Sequence, residues 1–127
     1  MKNLPENLKY AATHEWAVLE AGDLVRVGIT DFAQSELGDI VFIGLPDVGR
    51  SVSAKEQIAV VESVKTASDL FSPVTGTVVA VNDAVQDEPE KVNEDAYATW
   101  LFRIKVNNPA ELDQLMSASA YQSMIEE

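Results

Sequence analysis

The chain has no cysteine. That removes disulfides, thiolate metal sites and thiol nucleophiles together. Any redox chemistry it takes part in must therefore reside on a bound or attached group. There is a single histidine, His14, so neither a histidine metal cage nor a histidine-centred triad is expected. Packing at the surface beside Trp16 is the plainer expectation for that ring. Positive charge is scarce: 9 Lys and Arg stand against 21 Asp and Glu, a formal net charge of −12. Such a field repels nucleic-acid phosphates and anionic lipid, which excludes both as expected partners, and it suits docking on basic protein surfaces. No run approaches the roughly 18 apolar residues of a membrane span, and MKNLPENLKY has no apolar signal-peptide core. The expectation is a soluble, cytoplasmic protein. Glycine-rich phosphate loops are missing too, since DVGRS and PVTGT each hold one glycine.

What is present reads as strand and turn. No low-complexity segment or linker interrupts the 127 residues, so one domain over 1–127 is expected. WAVLE (16–20), LVRVGI (24–29), DIVFIGL (39–45), QIAVVESV (57–64), GTVVAV (76–81) and WLFRIKV (100–106) are rich in Val and Ile and punctuated by Gly, Pro, Asn and Asp. LVRVGI alternates, with Val25, Val27 and Ile29 on one face and Leu24, Arg26 and Gly28 on the other. TDFAQSELG predicts one short helix, capped by Thr30 or Asp31 and stopped at Gly38. Pro89 breaks the segment 83–95, which predicts one or two helical turns. NNPAELDQLMSASAYQSMIEE predicts the longest helix: Asn108 caps it, Pro109 stands at its first position, Glu111 completes a capping box, and Leu112, Leu115, Met116 and Ala120 form its apolar stripe.

Within VESVKTASDLFSPVTGTVVAVN (61–82), two apolar runs flank a short polar turn that contains Lys65. The surrounding segments GDIVFIGLPDVGRSVSAKEQIAVVES and TASDLFSPVTGTVVAVNDAVQ share a plan of strand, proline turn with a nearby glycine, and second strand. Two such halves would leave their junction, Val64-Lys65-Thr66, as an exposed hairpin. Between Glu56 and Asp95 nine carboxylates accompany only two cations, Lys65 and Lys91. Alone, a turn lysine is a solvated residue guarding a strand edge.

ESVK followed by the SPVTG turn resembles the lipoyl/biotinyl-carrier family, whose junction-hairpin lysine is amidated by lipoate or biotin. Further residues are similar to H proteins of the glycine cleavage system: LKYAATHEW (8–16), VGITDFAQSELGDIVFIGLPDVG (27–49), VVESVKTASDLFSPVTGTVVAVN (60–82) and EPEKVNEDAYATW (88–100). The similarity spans nearly the whole chain in order. Biotin carriers usually present Met-Lys-Met and 2-oxoacid dehydrogenase lipoyl domains Asp-Lys-Ala, where this chain has Val64-Lys65-Thr66. The resemblance implies a mostly β fold, a hammerhead β-sandwich with short helices and a C-terminal helix. It implies lipoate held covalently on Lys65, attached by a lipoate ligase or octanoyl transferase. A lysine amine ordinarily titrates near about 10.4, leaving roughly one in a few thousand as free amine at neutral pH, so an external enzyme must position and deprotonate it.

The resemblance further implies a carrier rather than an enzyme. Its arm takes an aminomethyl group from a PLP-dependent glycine decarboxylase and delivers it to a tetrahydrofolate-dependent aminomethyltransferase. A dihydrolipoamide dehydrogenase then reoxidises it. Glu62 and Ser63 are implied in ligase recognition. Glu15, Asp69 and Thr13 are implied as the aminomethyl-arm cleft, which would shelter a chain whose exposure forgoes roughly 3 kcal/mol or more of apolar burial. A carrier visiting several active sites is most simply a monomer. The chain departs from the family pattern at SVSAKEQIAVVESVK, where Lys55, Gln57 and Ala59 replace usual glycines. It departs again at DAYATWL, where Ala96 replaces a usual proline and one residue is missing. Two alternatives stay open: an H-like relay donating lipoyl groups to other lipoyl domains, and an unmodified interaction domain of the same fold. An autonomous enzyme is disfavoured, because no nucleophile–base pair or metal set is present.

Overall fold

The computed structural model describes residues 4–126. Residues 1–3, and Glu127 at the end of the helix predicted over 107–127, lie outside it. Two antiparallel sheets share one buried core. The larger runs in the order β1-β2-β3-β9-β8-β5 and the smaller in the order β4-β6-β7. In chain order the strands are β1 (Lys9–Tyr10), β2 (Glu15–Ala21), β3 (Leu24–Ile29), β4 (Ile40–Gly44), β5 (Ser51–Val52), β6 (Gln57–Ser63), β7 (Ala67–Phe71), β8 (Gly76–Val81) and β9 (Phe102–Val106). Each of the six apolar runs read from sequence forms a strand. Two-residue β1 and β5 show no periodicity, because they are shorter than one full alternation.

The alternation of β3 works as the pattern requires. Val25, Val27 and Ile29 are buried in the core with Ile43 and Val61 of the smaller sheet. On the other face, Gly28 makes room for an indole: a Cβ there would stand 2.5 Å from the Trp16 ring. That ring belongs to a second apolar cluster with Leu8, Tyr10, Ala118 and Tyr121. Its Nε1 donates to Ala96 O at 3.1 Å, tying β2 to the shortened DAYATWL loop.

The two halves recognised in the sequence occupy matching places. β4 and β7 flank β6, while β5 and β8 pair with each other. Their junction is the β6–β7 hairpin, with Lys65 at its tip. α1 (Asp31–Leu37) begins at Thr30, whose hydroxyl accepts from Ala33 N at 3.1 Å, and ends at Gly38 with φ +84°. Glycine alone takes that angle cheaply. α2 (Ala84–Asp87) and α3 (Lys91–Glu94) are single turns on either side of Pro89.

The C-terminal segment corrects the sequence reading. Asn108 does cap, accepting from Ala110 N, but the helix that follows is a 3-10 helix over Pro109–Gln114. Met116 then pairs with Tyr10 through two backbone bonds of 2.9 and 2.8 Å, and only α4 (Ala118–Ile125) resumes the helix. An extended pairing with β1 breaks a segment that local propensity alone would keep helical. Glu111 closes no capping box, because its carboxylate accepts from Thr75 N at 2.7 Å instead.

Candidate functional site: the Lys65 hairpin and its cleft

The hairpin that carries Lys65 is built by its neighbours. Ser63 Oγ accepts from both Lys65 N and Thr66 N at 3.2 Å, and Ser63 N donates to Thr66 O at 2.8 Å. A serine hydroxyl that takes two turn amides substitutes for a missing backbone acceptor. Val64 N donates to Asp39 O at 3.0 Å, which fastens the tip to the connection between α1 and β4. Glu62 lies exposed opposite Ala67. Lys65 itself is exposed, and its amine has no ion-pair partner among the described residues.

The stem of Lys65 has a direction. It lies over Gly38: a Cβ on that glycine would come within 3.3 Å of Lys65 Cε, 3.8 Å of Cδ and 3.9 Å of Cγ. Gly38 follows Leu37, the last helical residue lining a cleft of about 270 Å³ between α1 and β7. The floor of this cleft is apolar, from Phe32, Ala33, Leu37 and Leu70. Its rim is polar, from Thr13, His14, Glu36, Ser68 and Asp69. The volume is just below the roughly 300 Å³ at which small-ligand sites begin, room for one slender chain. Asp69 stands four residues on from Lys65, a span of at most roughly 13 Å at the strand rise of about 3.3 Å per residue. That is within reach of a lysine side chain extended by an acyl group.

Of the residues expected at an arm cleft, Thr13 and Asp69 line it and Glu15 sits behind it. Glu15 is 1 % exposed. The Thr13 hydroxyl donates to its Oε1, and Phe71 N donates to its Oε2 at 3.0 Å. β7 is an edge strand of its sheet, so Phe71 turns its free N–H toward the start of β2. Burial pushes the Glu15 carboxyl up to about 7, against the pull of these hydrogen bonds. The ammonium of a cleft occupant would therefore meet the rim carboxylates Asp69 and Glu36 directly and Glu15 only through Thr13.

His14 is half-buried in the cleft wall rather than packed at the surface. Its φ is +78°, unusual for a side-chain-bearing residue. Nδ1 lies 2.7 Å from Tyr121 OH, which lies 2.8 Å from Thr30 Oγ1. Phe32 packs 5.1 Å from the ring centroid. Burial lowers the imidazole pKa, so the ring is neutral at pH 7. Sequence reasoning did not single out Phe32, Glu36 or Leu37. Their spacing along TDFAQSELG, with Ala33, marks one helix face, and that was the available signal. A second hollow of about 240 Å³ between Glu6 and α4 holds none of the expected site residues. Among the described residues no group of three metal-ligating side chains forms, and no helix is long and apolar enough to cross a membrane.

Comparison with known proteins gives the same picture. The family model for glycine cleavage H-protein matches residues 8–127. The chain is 52 % identical over 126 residues to the glycine cleavage system H protein 2 of Pseudomonas aeruginosa, covering 99 % of this chain and 98 % of that one. It is 56 % identical over 126 residues to the glycine cleavage system H protein of Burkholderia cenocepacia, covering 99 % and 100 %. The crystal structure of a glycine cleavage system H protein from Mycobacterium marinum superposes with a TM-score of 0.87 at 41 % identity, covering 98 % of this chain and all of that one. The chain therefore belongs to the glycine cleavage H-protein family, whose members are carriers and not catalysts.

Proposed function

We propose that Lys65 is the lipoyl-attachment residue. On that arm the chain would shuttle the aminomethyl group of glycine from a PLP-dependent decarboxylase to a tetrahydrofolate-dependent aminomethyltransferase, with a dihydrolipoamide dehydrogenase restoring the disulfide. It would do so as one carrier domain over 1–127, a monomer in the cytoplasm. The observation that carries this reading is the path of the Lys65 stem, which lies over Gly38, the residue after Leu37 of the cleft lining.

The residues present fit the group. Phe32, Leu37 and Leu70 offer an apolar bed for methylenes and a ring, and the rim offers hydrogen-bonding groups for a polar end. When bound, the dithiolane supplies the reducible disulfide that a cysteine-free chain lacks. The protein's own residues do the rest. Ser63 shapes the turn so that the amine projects outward to an acylating enzyme, and Glu62, exposed one residue before Ser63, is free for that enzyme to recognise. Thr13 and Asp69 line the cleft, and α1 and β7 form its two sides. Acylation removes the lysine charge, so the stem enters an apolar cleft without burying an ammonium.

Intact mass spectrometry of protein made with a lipoate ligase and lipoate tests the assignment. One lipoyl group is expected, mapped to Lys65, and none on Lys65→Arg, which keeps charge and bulk but offers no acylable amine. A lipoyl group on Lys55 or Lys91, or on the arginine variant, would refute it.

A further inference from the structure

We propose that Asn93 is a positioning residue for Lys65. Its side-chain amide bonds one residue in α1, one on the connection that follows and one at the start of β4. Nδ2 donates to Gly38 O and to Gln34 Oε1, both at 2.9 Å, and Oδ1 accepts from Ile40 N at 2.9 Å. The backbone partners fix its orientation, because a carbonyl requires a donor and an N–H requires an acceptor.

Those two backbone partners bracket Asp39, whose carbonyl accepts from Val64 N at 3.0 Å. Gly38 is also the surface on which the Lys65 stem lies. The hairpin tip is thus tethered to Asp39 and rests on Gly38, and one amide bonds the residues on either side of Asp39. Gly38 has no side chain to fix its position, and its left-handed angle is one it leaves readily. Without Asn93 the Val64 tether and the bed under Lys65 would loosen together. The stem would then lose the surface it lies on.

This inference rests on acylation of Lys65, and its test separates the two. Amide exchange, followed by NMR on unmodified protein, reads the clamp. Carrier kinetics with a lipoate ligase, lipoate and ATP read its consequence. In Asn93→Ala the Val64 amide is expected to exchange about tenfold faster, with the central strands β3 and β9 unchanged. The KM for the carrier is expected to rise roughly three- to tenfold with kcat nearly unchanged, because the bond-making groups belong to the ligase. Asn93→Asp keeps the acceptor for Ile40 N but sets a carboxylate oxygen against Gly38 O, so it should show the same loss. Gln34→Ala, which spares both backbone bonds, should behave as wild type. Unchanged Val64 exchange in both Asn93 variants would overturn the proposal, as would equal acceleration throughout β3 and β9. Failure of the ligase to acylate the wild-type chain would remove the reading of Lys65, while the exchange data would still decide the clamp.

Discussion

Thr13 and Glu15 share a hydrogen bond that sets the electrostatics of the cleft. The exposed hydroxyl donates to Oε1 of a carboxylate that is itself buried, and Phe71 N holds the other oxygen. A carboxylate in water would be charged at neutral pH, whereas Glu15 titrates at about 7. The cleft therefore presents two exposed carboxylates on its rim, Asp69 and Glu36, and behind it one buried carboxyl whose charge depends on pH.

The first consequence is for stability. Glu15 binds its proton more tightly in the folded state, at about 7, than in the unfolded chain at 4.5. The native state then holds more protons between these values, and its stability falls as pH rises through that window. The full loss, present above pH 7, is on the order of 3 kcal/mol. Glu15→Gln removes the titration and keeps the shape, with its carbonyl toward Phe71 N and its amide toward Thr13. The variant should match wild type near pH 4.5 and exceed it in urea unfolding at pH 8. A difference that does not change with pH would show that Glu15 stays charged in the fold.

The second concerns the aminomethyl-loaded carrier. Asp69 is exposed on the cleft rim, so its attraction for an ammonium is screened and modest. Asp69→Asn should speed spontaneous release of ammonia roughly two- to fivefold, while Lys65 acylation proceeds as in wild type. Equal lifetimes of the loaded form would return Asp69 to the role of a solubilising edge residue.

The third concerns the hydroxyl shared by three elements. Tyr121 OH, fully buried on α4, meets His14 of the cleft wall and Thr30 at the start of α1. Tyr121→Phe keeps the ring stacked on Tyr10 but strips both partners. A loss of about 1–3 kcal/mol is expected, read as a Tm lowered by several degrees. An unchanged Tm would mean that water replaces the hydroxyl.

Much of this was legible in the sequence because the signals were local. Thr30 starts α1 with its hydroxyl and Gly38 ends it with a backbone angle that glycine takes cheaply, and Val25, Val27 and Ile29 mark the buried face of β3 by alternation alone. The hairpin at Lys65 followed from its flanking apolar runs. What escaped depends on contacts distant in sequence. The break at Met116 is imposed by Tyr10, and Glu111 leaves its cap for Thr75. Glu15 was expected at the cleft from the family resemblance, and nothing local in the sequence marks its burial. Only the meeting of β2 with the free edge of β7 buries it. Asn93 lies within EPEKVNEDAYATW, but nothing local assigns its side chain a partner, since its three bonds form where α3 packs against α1.

The last prediction concerns docking and rests on charge. Asp87, Glu88 and Glu90 are exposed on and between α2 and α3, the elements beside the connection that holds the Lys65 hairpin. Among the described residues only Glu88 of the three has an ion pair, with Lys91 at 3.3 Å, and that pair is exposed. Acylation of Lys65 would remove a nearby cation and leave this side more acidic. A partner with a basic rim around its arm-entry channel would then be steered toward it, with a faster encounter rate. Such steering is screened over about 10 Å at 0.1 M salt. The KM of the partner decarboxylase for the lipoylated carrier should therefore rise with ionic strength while kcat changes little. Replacing the three residues with Asn, Gln and Gln should flatten that dependence. Val85 and Val92, buried beneath, keep both helical turns in place without the charges. A KM equally salt-dependent in the triple variant would locate the steering charge elsewhere. A KM independent of salt in the wild type, with free lipoate as control, would mean that docking is chiefly apolar.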